Sequence, residues 1–294
     1  MSSKNNQYVS VVIVNYNSTK HLNKLLKSTQ KIETNIGEII IIDNDSKVFE
    51  EILNIPRWLV GKVIILKNQT NFGFSKAVNR GIKIAKHKLI LLLNPDTQII
   101  DNSISSTIQI ISNNKDIGLI GGKLISEETG NEQPTANTKP TALTAIFEFT
   151  ILKKIFPNNR FTKKFWPEKD KHISSPIEVE SLCGAFIIFR KEIKKQKIRF
   201  DENYFLYLED LDFGTEIKNN GLKVIFDPNS KVVHKGGASS NSRYNIELKH
   251  WYDSRNYYFT KHLNNSEAVI IKMIFKLEFY LLKIFHKLRK TPEY

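Results

Sequence analysis

Four clusters of amides and carboxylates stand directly after short apolar runs: Asn15, Tyr16 and Asn17; Asp43, Asn44 and Asp45; Asn68 to Asn71; and Asn94 with Asp96. Such a set suits a divalent ion and the hydroxyls and ring edge of a nucleoside. It does not suit a bare phosphate, which calls for glycine-rich main-chain amides or arginine. Lys and Arg are nearly absent from the clusters, although the chain holds 44 of them against 30 Asp and Glu, a net charge of +14. No GxGxxG or GxxxxGK(S/T) pattern follows any run, which argues against a dinucleotide dehydrogenase or a P-loop enzyme. Two more groups could do chemistry. Glu209 and Asp210 are adjacent in YLEDLDF; on a helix they lie about 100° apart, so at most one points straight at a given site. A plain acidic helix amino terminus accounts for them equally well. His234 follows Val-Val and precedes Gly-Gly, and alone it reads as readily as a packed or solvated residue. The single cysteine, Cys183, excludes an intramolecular disulfide, has no metal-cluster spacing and reads as a packed strand residue rather than a nucleophile, with a reducing compartment the simplest expectation.

The runs that must position these groups are YVSVVIV (8–14), EIIII (38–42), KVIIL (62–66) and KLILLL (88–93). They are short, β-branched or leucine-rich, and separated by segments long enough for helices, the βαβ rhythm of a parallel sheet. Leu22, Leu25, Leu26 and Thr29 recur at helical spacing after a capping set at Asn17, Ser18 and Thr19. Phe74, Ala77, Val78, Ile82 and Ala85 repeat the pattern after the third run. Leu89 to Leu93 has no polar alternation, as in a strand covered on both faces, and Pro95 ends it near Asn94. Asn94, Pro95 and Asp96 are then either a simple turn or a ligand-facing sheet edge. In the second half, Leu208, Leu211, Ile217 and Leu222 outline a helical stripe that Gly221 would stop.

VSVVIVNYN (9–17), IIIIDNDS (39–46), NFGFSKAVNRGI (71–82) and LLLNPDT (91–97) together resemble the successive motifs of the family 2 glycosyltransferases, inverting enzymes of the GT-A fold. The form with NPD in place of Asp-x-Asp is similar to bacterial rhamnosyltransferases of cell-surface polysaccharide synthesis. The likeness covers roughly residues 8 to 122 and 179 to 262. It implies an α/β fold with a mostly parallel, Rossmann-like central sheet. It further implies that Tyr16, Asn17 and the main chain near Val14 border the nucleobase, and that Asp43 accepts a hydrogen bond from it. Asn71, Gly73, Phe74 and Asn79 would shape the pocket floor. Asp96 with Asn94 would stand for the Asp-x-Asp pair beside ribose and a Mg²⁺ or Mn²⁺ ion, which His234 in VVHKGGAS would help to hold. Asp210, beside Glu209, would be the general base that deprotonates an acceptor hydroxyl. The implied donor is a nucleotide-diphosphate sugar, dTDP-rhamnose among them, and the implied acceptor a glycan or polyprenyl-linked sugar. Asn94 removes one charge from the metal site, and Glu216 stands where relatives often carry Arg. These departures keep a second reading open, a non-catalytic nucleotide-sugar binding protein.

The sequence divides into a transferase domain over 1–262, with a nucleotide-sugar half at 8–122, a proline-bearing variable segment at 123–178 and a catalytic half at 179–262, and a tail at 263–294. In the tail, Lys272, Lys276, Lys283, Lys287 and Lys290 fall within about 60° on a helical wheel and flank a wide apolar surface. Five lysines make a poor transmembrane span but fit a helix lying in a membrane interface; packing on the domain or in a homo-oligomer is the alternative. Nucleic acid is not the expected partner, since no binding module accompanies the charge. MSSKNNQ lacks an apolar stretch and 8–14 is too short, so no signal peptide is expected, and the chain is expected in the cytoplasm, peripheral on the inner face of the membrane.

Overall fold

The computed structural model describes residues 7–169, 173–193, 196–236 and 244–290, the side chains of 244–245 and 285–290 excepted. Residues 237–239 of the VVHKGGAS stretch and the side chains of Lys287 and Lys290 therefore lie outside the described residues. The four apolar runs form strands β1 (Val9–Asn15), β2 (Ile36–Asp43), β3 (Val63–Lys67) and β4 (Leu89–Leu93). They pair in parallel in the order β3-β2-β1-β4. β1 and β4 are buried along their whole length, which is why polar alternation is missing from them. Crossover helices α1 (Thr19–Ser28) and α2 (Phe74–Ile84) turn Leu22, Leu25 and Leu26, and Ala77, Val78 and Ile82, onto the sheet.

Four further strands widen the sheet: β5 (Thr97–Ile99), β6 (Ile117–Ser126), β7 (Phe186–Arg190) and β8 (Lys223–His234). The order along the sheet is β3-β2-β1-β4-β7-β6-β8-β5, and off this path the short strands Glu132–Gln133 and Ile177–Glu178 pair with β6 and β8. β7 runs antiparallel to both β4 and β6, while β6 and β8 are parallel. A strand from the second half of the chain is thus inserted between two from the first. α3 (Ser103–Asn113) places Ile104 and Ile108 against one face, with Leu22, Ile41 and Phe186. The other face is covered by α2 and by Phe200 and Phe213, whose rings stack at 4.1 Å.

A separate aromatic core joins α4 (Ala142–Phe149), α5 (Glu209–Asn219), α6 (Tyr244–His262) and α7 (Asn265–Lys290). Phe259 meets Phe149 and Phe275 edge to face at 5.2 and 5.7 Å. The tail is consequently no appendage: Ile271 and Phe275 of α7 are fully buried. Arg255 of α6, 1% exposed, pairs with Glu278 of α7 at 2.5 Å and donates to the Phe149 carbonyl. Among the described residues, no helix is long and apolar enough to cross a membrane. Gly221 (φ 78°) ends α5 as expected: its amide bonds the Lys218 carbonyl and the Leu222 amide reaches back to Ile217, closing the orphan carbonyls that a left-handed residue makes reachable.

Candidate active site

The strand ends meet at a single cavity of about 960 Å³, with a first wall of Val14, Tyr16, Asn71, Gly73, Phe74, Asn94 and Asp96 and with Glu209, Asp210 and His234 from the second half of the chain. Amides hold the first wall. Asn44 donates to the Asn71 side chain (2.6 Å) and the Gly73 carbonyl (3.2 Å), and accepts from Asn68 (2.8 Å) and the Phe72 amide (3.1 Å). This residue was visible as part of the second cluster, yet its place as the hub that shapes the wall follows only from the fold. Gly73 adopts φ 84°, and a Cβ there would lie 2.6 Å from the Phe205 carbonyl, which accepts the Phe74 amide at 2.7 Å. That close approach ties the donor-side loop to the loop before α5. Arg80 is the exception to the lack of basic residues: α2 brings its guanidinium onto the Asn68 side chain.

Three residues of the expected nucleotide set do not line the cavity. Asn17 is exposed, in a left-handed turn (φ 52°), with its side chain accepting from the Lys47 amide at 3.0 Å. Asp43 is buried, its two oxygens taken by the Asn15 amide group (2.9 Å) and the Ser46 main-chain N–H (3.2 Å). Asn79 bonds the Phe200 main chain at both its N–H and its carbonyl (2.9 and 2.8 Å) and so staples α2 to the second half. Each is a polar group buried or bent into a local bond, a role that periodicity does not separate from ligand contact.

Asp96 and His234 are brought together from opposite ends of the chain by the β5–β8 pairing, the carboxylate Oδ1 lying 3.5 Å from the imidazole Nε2. Gln133 orients the ring. Its amide nitrogen donates to the His234 carbonyl at 3.2 Å, so its oxygen faces Nδ1 at 2.7 Å and accepts a hydrogen bond from Nδ1–H. Nε2 is left facing the Asp96 side, where it donates to the carboxylate when the ring is protonated and can ligate a metal through its lone pair when the ring is neutral. Burial pushes the Asp96 carboxyl up, but the hydrogen bond and charge of His234 outweigh it and hold the group below its ordinary value. No signal in the sequence pointed to Gln133. Among the described residues, no group of three or more His, Cys, Asp or Glu could enclose a metal. Two ligands still fit an ion that completes its shell with water and substrate phosphates.

Glu209 and Asp210 sit at the first turn of α5, aimed there by two consecutive left-handed residues, Tyr207 (φ 76°) and Leu208 (φ 65°). Strain of this kind persists only where packing over-determines it, here the Tyr207 ring on Trp251 at 5.7 Å and the buried Leu208. The two carboxyls are treated differently. Asp210 accepts main-chain N–H bonds from Gly184 (2.9 Å) and Leu211 (2.8 Å), whereas Glu209 has an Oε2 with no protein partner. Burial, and then the charge of Asp210, push the Glu209 carboxyl up to about 8. Burial also raises Asp210, against the pull of its amide donors. Of the two, Asp210 has the main-chain N–H donors that favour a carboxylate, and Glu209 has the unpartnered oxygen that favours the protonated form. Cys183 lies beside them outside any strand, its thiol pushed up to about 12 by burial and by Asp210, so it is no nucleophile. Glu216 is exposed, bonded to Asn220 and away from the cavity, so the departure at that position leaves the acid pair untouched.

The family model for "Glycosyl transferase family 2" matches residues 10–196, well over half of the chain. The chain belongs to that family. It is therefore a glycosyltransferase, and the curled α/β sheet is the GT-A fold. It is 26% identical over 241 residues to an N-acetylglucosaminyl-diphospho-decaprenol L-rhamnosyltransferase of Mycobacterium tuberculosis, covering 78% of this chain and 76% of that one. It is 24% identical over 292 residues to an uncharacterized glycosyltransferase of Methanocaldococcus jannaschii, covering 97% and 90%. Among solved structures, the GalNAc-T7 complex with UDP, GalNAc and Mn²⁺ superposes with a TM-score of 0.61 at 17% identity, over 95% of this chain and 55% of that one. A Pyrobaculum calidifontis mannosyltransferase with GDP-Man and Mn²⁺ gives 0.55 at 12%, over 93% and 69%. At these identities the structural likeness speaks for the fold alone.

Proposed function

We propose that this glycosyltransferase moves a sugar, rhamnose in the reading favoured by the mycobacterial relative, from a nucleotide diphosphate to a lipid- or glycan-linked acceptor, with inversion. The observation that carries this reading is the pairing of an amide-braced Asp210 with the Asp96–His234 pair in one cavity. Asp210 takes the proton of the acceptor hydroxyl as that oxygen attacks the anomeric carbon, and its two N–H donors hold the carboxylate in position. Asp96 and His234 Nε2 would hold Mg²⁺ or Mn²⁺, which supplies charge neutralisation for the leaving diphosphate. Tyr16 and Val14 border the nucleobase, and the Asn44-braced wall with Asn71, Gly73 and Phe74 forms the floor. The neutral Glu209 has an O–H to donate to the acceptor sugar. Work on a lipid-linked acceptor places the enzyme at the cytoplasmic face of a membrane, which α7 would meet.

The test is donor hydrolysis and binding across UDP, dTDP and GDP sugars, with and without Mg²⁺ or Mn²⁺, for the wild type and for Asp210→Asn. Metal-dependent release of one nucleotide diphosphate, lowered about 10²-fold or more in the variant with donor binding retained, is expected. Donor binding with no turnover in either protein would favour the non-catalytic reading. No donor binding by folded protein would remove both.

A further inference from the structure

α7 is packed on one side only. Ile271 and Phe275 are buried against α6, yet Ile270, Met273, Leu277, Tyr280 and Ile284 form a continuous apolar row that is 55–67% exposed. Spacings of three and four keep these five side chains on one helix face, and exposed Lys272, Lys276 and Lys283 form a parallel row about 90° away. A second apolar patch stands beside α7: Ile151, Ile155 and Phe156, 44–58% exposed, bracketing Lys153 and Lys154. Polar bonds connect the two patches. The Ile151 amide donates to Glu278 of α7, the other oxygen of Glu278 pairs with Arg255, and Arg255 bonds the Phe149 carbonyl. The cavity that contains Asp210 runs out between them, to Ile151, Lys154, Glu278 and Leu282.

We propose that α7 and the 151–156 segment are one composite docking face for an anionic lipid bilayer, onto which the acceptor arm of the cavity opens. Apolar area this large and contiguous marks an interaction surface. The lysine rows choose the occupant. A second copy of a chain of net charge +14 would bring like charges together along the contact, whereas anionic headgroups neutralise them as the apolar row enters the acyl boundary. The two acids among the described side chains of α7 leave the row uncontested: Glu267 lies at its first turn and bonds Asn264, and Glu278 faces Arg255. A lipid-linked substrate then reaches Asp210 laterally, with its head in the cavity and its chain still in the bilayer. The nature of what enters rests on the transferase reading; the docking does not.

The experiment is co-sedimentation with vesicles of phosphatidylcholine containing phosphatidylglycerol, against phosphatidylcholine alone, for the full chain and two double variants, Met273→Glu/Leu277→Glu and Ile155→Glu/Phe156→Glu. Binding to the anionic vesicles, weakened by salt, should fall about tenfold or more in each, because two large apolar side chains lose their lipid contact. All four positions are exposed, so an unchanged Tm and unchanged donor hydrolysis are expected to accompany the loss. A Lys272→Gln/Lys276→Gln/Lys283→Gln variant should lose most of the salt dependence. Full binding by the Ile155→Glu/Phe156→Glu variant would overturn the composite face. So would a wild type that ignores both vesicles, or one that forms a dimer abolished by the helix variant. Absent donor hydrolysis beside intact vesicle binding would count against the transferase reading and leave the docking standing.

Discussion

Replacing Glu209 by Gln tests whether the acid pair is divided as its surroundings indicate. In the folded chain the Glu209 carboxyl titrates at about 8 instead of 4.5. Between those values the unfolded chain has released its proton and the folded chain has kept it, so stability falls as pH rises from 4.5 and levels off above 8. At roughly 1.4 kcal/mol per pH unit, the difference at pH 7 amounts to about 3 kcal/mol. Gln cannot ionise, and its amide has hydrogen-bonding needs of its own, so the informative quantity is the pH dependence of the variant-minus-wild-type difference. That difference should move in favour of Glu209→Gln by about 3 kcal/mol between pH 4 and 7, read by urea titration at each pH. Turnover should stay within about tenfold at neutral pH because the amide still donates a hydrogen bond, and a fall in wild-type turnover near pH 8, expected as Glu209 loses its proton, should be absent from the variant. A difference that is flat from pH 4 to 7, or a loss of turnover of about 10²-fold at pH 7, would show that Glu209 acts as a charged group and would refute the division.

Asp96→Asn removes the charge opposite His234 and should weaken Mn²⁺ binding in the presence of donor about 10- to 100-fold, by titration calorimetry; an unchanged affinity would place the metal elsewhere. Gly73→Ala forces a side chain into φ 84° and 2.6 Å from the Phe205 carbonyl, and should destabilise by about 1–3 kcal/mol in urea unfolding. A neutral outcome there would mean that the 205 loop yields. Burial raises the Asp201 carboxyl, but its bonds to Lys261, the Asn203 amide and Tyr257 bring it down to about 2. Its contribution is therefore present above the ordinary 3.8 and is lost as pH falls through about 2. Lys261→Gln should cost about 1 kcal/mol at pH 7, with the gap closing toward pH 2; a gap of constant size would assign the effect to packing.

The amino-terminal sheet was legible because β1 to β4 are local βαβ units whose burial writes itself into composition. The order of the remaining strands was not, since the place of β7 between β4 and β6 depends on pairings distant in sequence. The same holds for the site. Motif residues at strand ends, such as Asn71, Asn94 and Asp96, do line the cavity, whereas Asp43 and Asn79 spend their polar groups inside the fold. A buried carboxylate that braces a loop and one that faces a ligand have the same letter and the same neighbours. Gln133 and Arg255 were invisible for another reason: their partners, His234 and Glu278, are 101 and 23 positions away, and neither spacing repeats. The tail's wheel showed a basic row beside an apolar surface, but the wheel alone did not reveal that Ile271 and Phe275 would be consumed by α6.

The inserted strand also has a consequence for synthesis on the ribosome. β1 to β4 can close against one another as they emerge, since each finds its neighbour among residues already made. β6 cannot: one neighbour, β7, begins at Phe186, roughly 60 residues after β6 ends, and the other, β8, follows later still. At about 5–20 residues per second, its first part, IGLIGG, waits several seconds or more with both edges unpaired, while Leu124 and Ile125 can pair early with Gln133 and Glu132. That interval is when the nascent chain is most exposed to aggregation. Slower translation between residues 127 and 185 should lengthen it and lower the yield of folded transferase without changing the stability of the finished protein.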